Sequence, residues 1–212
     1  MKQLFINRAI AASNARALCR PPGYSSQQEV FYTQSFYNGQ YTFTIRPFNI
    51  EHDFSFAYDW ICKKFSVRSR LHNKPVEQWM DTYRMMLQSD IMQPLVLLHN
   101  NRPVCLADVY FGQLHELSLH MPVQPTDYVI ELLTGLPPKK EQHILTMAIQ
   151  ACLHYVYSFE ETGRVLSEPN VLDEDLNIAL QQSGFCLLKK TELTYKTVNV
   201  YEYSRAQFFQ RF

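Results

Sequence analysis

YVIELLTG, LPPKKEQH and ILTMAIQACLHYVY run in succession over residues 128–157, and this stretch decides the fold. An apolar run of strand length closes on Gly135 and two prolines. A helical repeat follows, with Ile144, Met147, Ala148, Ala151 and Val156 near one face. The order is strand, loop, helix. Such a junction brings unpaired backbone N–H groups and the positive end of a helix dipole to one spot, which suits a phosphate. Lys139 and Lys140 favour that reading. An ordinary connection with solvated lysines has the same spacing, so both readings stay open here.

Outward from this centre the chain alternates clearly. Asn38-Gly39, between aromatic and β-branched runs, predicts a hairpin of strands near Val30 to Tyr37 and Tyr41 to Arg46, with Tyr41, Phe43 and Ile45 on the core face. Asn49 or Asp53 can cap a helix carrying Phe54, Ala57, Ile61 and Phe65. Pro75 opens a second helix with Trp79, Met80, Tyr83, Met86 and Leu87. Between them, Lys63, Lys64, Arg68, Arg70 and Lys74 form the most basic local run, either a solvated face or the rim of an anion site. PLVLL, Asn100-Asn101 and RPVCLADVYF read as another hairpin. Beyond the central helix, Val165 to Glu168 is a strand stopped by Pro169, Asp173 starts a helix with Leu176, Ala179 and Leu180 inward, and Ser183-Gly184-Phe185 turns into two last strands.

Composition excludes several classes. The 212 residues suit one domain with an extension, and 46 % hydrophobic residues with 6 glycines describe a packed globular chain. A formal net charge of zero argues against a general nucleic-acid binder or a polybasic membrane surface. Five scattered cysteines form no CxxC pair and suit a reducing compartment. No apolar run is long enough to span a bilayer. Residues 1–28 hold Lys2, Arg8, Arg16 and Arg20 without an acid, a faint likeness to a transit peptide that a short helix over INRAIAASNARAL explains as well. His115, Glu116 and His120 are spaced HExxxH and not HExxH, so on a helix the histidines diverge and no metal site is expected. GxSxG, Walker A and GxGxxG fingerprints do not occur.

The order ββ, αα, βββ, α, β, α, ββ, with a strand ending in Glu-Pro, an acid-rich helix start and an SGF turn before a Lys-rich strand, resembles the GNAT N-acyltransferases. More narrowly it resembles the siderophore-biosynthesis branch that acylates the Nε atom of lysine or N6-hydroxylysine, the aerobactin and mycobactin type. The resemblance spans most of Tyr41 to Phe212, including Arg46-Pro47 and Trp60, and places Asp108 and Tyr110 on that branch's Glu-x-Tyr. It implies an α+β (α/β) GNAT fold: a central mixed, mostly antiparallel sheet flanked by helices, here with an extra N-terminal helix and strand. Residues 1–40 are then an extension and 41–212 the acyltransferase domain.

Three departures from the family pattern bear on chemistry. The glycine-bearing acyl-CoA loop is replaced by Lys139, Lys140, Glu141, Gln142, His143 and Ile144, where bulky side chains and Glu141 oppose a diphosphate. The branch's strand histidine aligns with Glu131. The acid of Glu-Pro-Asp is Asn170, and the Asn three residues on is Asp173. Leu180 stands where many GNAT enzymes keep a tyrosine acid. Glu131 is expected to serve as general base, its pKa raised toward neutrality by desolvation, or else to pair with a cation and support structure. Asn170 can orient the acceptor by hydrogen bonding.

The resemblance thus implies Glu131 and Asn170 at the chemistry, with Asp108 and Tyr110 on the acceptor. It puts Leu132, Leu133, Thr134, Lys139, Lys140, Gln142, His143, Ile144 and Asp173 on acetyl-CoA or another acyl-CoA. The expected activity is acyl-CoA-dependent N-acyl transfer to a small amine by a cytoplasmic monomer or homodimer, without metal, nucleic acid or membrane. The alternative is a catalytically degenerate GNAT-fold binding protein.

Overall fold

Alternating apolar residues in Tyr41–Pro47 put Phe43 and Ile45 wholly inside, and the sheet grows from there by hairpins. The computed structural model describes residues 30–65, 75–136 and 140–211. The helix predicted over INRAIAASNARAL, Lys139, and Arg68, Arg70 and Lys74 of the basic run lie outside the described residues.

Eight strands form one sheet in the order β1-β2-β3-β4-β5-β6-β8-β7. They are β1 (Tyr32–Phe36), β2 (Tyr41–Pro47), β3 (Met92–His99), β4 (Arg102–Phe111), β5 (Asp127–Thr134), β6 (Arg164–Ser167), β7 (Cys186–Glu192) and β8 (Thr197–Ser204). All neighbours are antiparallel except β5 and β6. The sheet is therefore mixed and mostly antiparallel, as expected. Tyr37, Asn38, Asn100 and Asn101 take positive φ, which is why the asparagine turns mark both hairpins. The predicted boundary at residue 40 falls inside this sheet. β1 pairs with β2 along its length, and Phe31 stacks on Tyr155.

Helices α1 (Ile50–Phe65) and α2 (Val76–Gln88) cover one face of the sheet; α3 (Gln142–Tyr157) and α4 (Glu174–Ser183) cover the other, and α5 (Arg205–Arg211) follows β8. Asn49 caps α1, its Oδ1 accepting from the N–H groups of Glu51 and His52 at 2.9 and 3.2 Å. Asp53 does something else: its buried carboxylate binds Arg46 through both oxygens at 2.6 and 2.7 Å, tying α1 to β2. Helix α3 is apolar almost all round because it lies between the sheet and α4. Gly184 ends α4 with φ of 103°, and a Cβ there would collide with Arg211 Nη1. At the margin, β7 carries Lys189 and Lys190 and slips register between Leu187 and Lys189.

The parallel contact between β5 and β6 is short. It covers Asp127 with Arg164, Tyr128 with Val165, and Val129 with Leu166, after which the strands part. Ser167 Oγ still donates to the Ile130 carbonyl at 2.9 Å. From Glu131 onward β5 keeps β4 on one side and opens toward a wedge on the other.

Candidate active site

Side chains alternate along β5. Tyr128, Ile130 and Leu132 pack under α3, so Glu131 points to the face covered by α1 and α2. Asp108 of β4 lies directly opposite Glu131. Two acids at facing ladder positions repel each other, so folding alone does not explain them. The wall continues with Glu168 at the end of β6, and Lys196 reaches in from the β7–β8 turn with Nζ 2.7 Å from Glu168 Oε2. Together with Trp79, Tyr83 and Asn170 these side chains bound a cavity of about 290 Å³.

Glu131 is held by two donors. The Tyr110 hydroxyl donates to Oε2 at 3.3 Å, and His115 Nε2 sits 3.2 Å from Oε1. The Leu117 N–H donates to His115 Nδ1 at 3.2 Å, which places the neutral ring's proton on Nε2, facing Glu131. His115 comes from a pair of 3-10 turns, Gly112–Leu114 and Glu116–Leu119, and not from the α-helix on which its spacing to His120 is judged. That placement brings His115 Nε2 within 3.8 Å of Glu168 Oε1 as well.

The electrostatics correct one expectation. Burial alone would raise the Glu131 pKa, but the hydrogen bond from His115 and the charge of Lys196 outweigh it and hold the carboxyl well below the usual carboxylate range. Glu131 therefore shifts in the direction opposite to the one expected. Its neighbours carry the opposite shift. Burial, then the charge of Glu131, pushes Asp108 well above its ordinary value. Burial, with Glu131 partly offset by Lys196, does the same to Glu168. Burial and the same carboxylates raise Tyr83 and Tyr110. Burial opposes the Lys196 charge, yet Glu168 and Glu131 win and raise its pKa. One fixed anion, Glu131, thus stands beside two carboxyls whose protonated forms are favoured by burial and beside the Lys196 ammonium.

The donor atoms of His115, Glu131 and Glu168 lie within 4.8 Å of one another, a spacing a divalent cation could use. The Lys196 ammonium already supplies positive charge beside this group.

A second hollow, about 320 Å³, follows along β5 at Thr134, Gly135 and Leu136 and is closed by the N-termini of α3 and α4. Trp60 roofs it so closely that a Cβ on Gly135 would collide with the indole Nε1. Lys140, the residue before Glu141, is exposed. Glu141 pairs with Arg102 at 3.2 Å, and its carbonyl takes the N–H groups of Ile144 and Leu145. Gln142 and His143 thus remain as the first-turn positions from which backbone N–H groups could face an anion. The Gln142 side chain is spent on the Asp175 carbonyl, His143 leans on Tyr41, and Ile144 is buried in the core. Asp173 caps α4 through Leu176 N–H. Leu132 and Leu133 line the inner cavity. Asn170 also lines it, with its Oδ1 already accepting from Leu172 N–H at 2.9 Å.

Glu168 and Lys196 carry no role in the sequence reading, and His115 enters it only as half of a failed metal motif. A glutamate that ends a covered strand just before proline is the one local signal for Glu168. For Lys196 there is none.

These arrangements meet independent likenesses. The family model described as "Acetyltransferase (GNAT) domain" matches residues 49–193. A curated relative from Escherichia coli, named N(6)-hydroxylysine O-acetyltransferase, is 25 % identical over 117 residues, covering 55 % of this chain and 37 % of that protein. Among solved structures, an uncharacterized protein from Bacillus halodurans superposes with a TM-score of 0.75 at 17 % identity, covering 85 % of this chain and 93 % of the other. Aminoglycoside acetyltransferase AAC(6')-Ib in complex with coenzyme A superposes at 0.65 and 15 % identity, covering 79 % and 98 %. Since the family model spans most of the chain, and the chain folds as such a domain must, this protein belongs to the GNAT acetyltransferase-domain family.

Proposed function

We propose that the protein transfers an acyl group from an acyl-coenzyme A thioester to the amine of a small cationic acceptor of the lysine or N6-hydroxylysine kind. The observation that carries this reading is the carboxylate wall of Asp108, Glu131 and Glu168 where β5 and β6 part. A cationic amine placed there meets a fixed anion and aromatic side chains, and Tyr110 braces that anion. The curated relative's name puts hydroxylysine among the candidate acceptors. Four cysteines outside any disulfide suit a reducing cytoplasm, and no helix among the described residues is long and apolar enough to cross a membrane.

The wedge fits the donor. Along Glu131 to Thr134 the β5 edge lacks a β6 partner, so its backbone can pair with the amides of a pantetheine arm beside Leu132, Leu133 and Thr134. The α3 N-terminus, with Lys140 and also Lys139, would hold the diphosphate. Coenzyme A supplies an activated thioester carbonyl when bound. The chain supplies an anchor for the amine and N–H groups that can polarise that carbonyl.

Thiol release from acetyl-CoA in the presence of lysine, N6-hydroxylysine or cadaverine tests the proposal. Release that depends on the amine supports it, and absence of thiol with every donor and acceptor removes it. One observation favours a second reading, a GNAT-fold binding protein without turnover. The outer hollow presents Glu141, Asp173 and Asp175 where a diphosphate would lie. Under that reading CoA thioesters leave the melting temperature unchanged, whereas a ligand at one hundred times its Kd stabilises by about 2.7 kcal/mol.

A further inference from the structure

The hydrogen bonds around the carboxylate wall divide its members by task, and this inference rests on the acyl-transfer reading above. Both oxygens of Glu131 are occupied, Oε2 by the Tyr110 hydroxyl at 3.3 Å and Oε1 by His115 Nε2 at 3.2 Å. A carboxylate whose lone pairs already accept hydrogen bonds keeps its charge and is a poor place to put a proton. Glu168 differs. Its side chain is 1 % exposed and neither oxygen accepts a hydrogen bond from a described residue; Oε2 is ion-paired with the Lys196 ammonium at 2.7 Å, while the nearest nitrogen given for Oε1, His115 Nε2, stands 3.8 Å away. The unfilled oxygen belongs to a residue that lines the same cavity as Glu131.

We infer that Glu168 is the group that takes the proton from the acceptor amine, while Glu131 is the fixed anion that holds that amine in place. The bound ammonium gives one proton to Glu168, and the freed nitrogen lone pair forms the C–N bond to the thioester carbonyl. The C–S bond breaks, and the second nitrogen proton ends on the departing thiolate. Amide and thiol result, and Glu168 returns its proton to solvent. A proton on Glu168 is favoured by the charge of the Glu131 carboxylate, which has an oxygen within 4.8 Å.

The charges facing this pair come from every surrounding element. β4 presents Asp108 and Tyr110, α2 presents Tyr83, the 3-10 turns present His115 and Glu116, and the β7–β8 turn presents Tyr195 and Lys196. Burial and Glu131 raise the Glu168 pKa, so the rate limited by this base falls on acidification at a pH above the ordinary carboxylate range.

The experiment measures kcat and acceptor KM with acetyl-CoA and N6-hydroxylysine or lysine from about pH 5 to 9, in the wild type, Glu168→Gln and Glu131→Gln. Glu168→Gln is expected to lower kcat by on the order of 10²-fold or more and to flatten the acid limb, with little change in KM. Glu131→Gln is expected to raise the acceptor KM and to keep the limb, moved to lower pH. Because Glu168→Gln by itself leaves the Lys196 charge uncompensated, its combination with Lys196→Met provides a neutral pair whose folding is checked by its melting curve. A flat limb in that folded double variant supports the assignment. A wild-type rate and limb in Glu168→Gln, or loss of the limb in Glu131→Gln instead, overturns the assignment and leaves acyl transfer standing. Absence of thiol release in the wild type overturns both.

Discussion

Two hollows of similar size, about 290 and about 320 Å³, follow one another along the end of β5, and both are lined by acids. The acids differ in what they do for the fold. At the outer hollow, Asp173 caps α4 and Asp175 stands in that helix's first turn, where negative charge complements the helix dipole. Glu141 sits at the start of α3 and pairs with Arg102. Each of these has a local structural use. At the inner hollow, Asp108 and Glu131 face each other across a ladder, and Glu168 is buried beside them. That arrangement costs stability and serves no strand. Acids that helices explain carry little functional information, and acids that no element explains carry a great deal.

The comparison breaks most forcefully if both hollows lose their shared wall. Helix α1 brings Trp60 to the outer hollow and Ile61 to the inner one, and it is tied down by Arg46 and Asp53. Asp53→Ala leaves the Arg46 charge poorly compensated and is expected to cost about 3 to 5 kcal/mol in urea unfolding. A loss under about 1 kcal/mol would show that the pair does not hold the helix. The next effect is confined to the inner hollow. Glu131→Gln is expected to lower kcat/KM for the amine by on the order of thirtyfold, about 2 kcal/mol, with the acetyl-CoA KM unchanged. A change in the donor constant instead would place Glu131 on the wrong ligand.

A third prediction uses pH. The folded pKa of Asp108 lies above its unfolded value, so its contribution to stability is complete below the unfolded pKa and is lost as pH rises through the folded one. Asp108→Asn does not titrate. Its unfolding free energy should match wild type at about pH 4 and exceed it at about pH 8, by about 1 kcal/mol. A constant offset across that range would show that Asp108 is not desolvated. The smallest effect belongs to the outer hollow. Glu141→Gln with Asp173→Asn keeps a capping side chain on α4 and removes two charges, so CoA should bind about two- to fivefold tighter by calorimetry. Unchanged affinity would place the diphosphate elsewhere.

Much of the fold is legible because its signals are local. The asparagine turns, the proline before α2 and the 3.6-residue repeat of α3 each act within a few residues. Glu131 can be picked out for a similar reason, as an acid inside an apolar strand. Its pKa cannot, since the shift comes from His115 and Lys196, which are brought together only by the sheet. HExxxH invites comparison with a helix, yet the segment forms 3-10 turns that aim His115 at the strand and leave His120 about 4.0 Å from Glu116. Asn170 attracts weight because it departs from a family pattern, whereas Glu168 two residues earlier matches the pattern and draws no notice.

The β7 margin has one more consequence. Two lysines and a one-residue slip at the last strand of an eight-stranded sheet refuse hydrogen bonds from another molecule's strand, both by charge and by a broken hydrogen-bonding rhythm. Crowded copies therefore meet an inhospitable border on that side, and fibrous growth from it is discouraged without a covering helix.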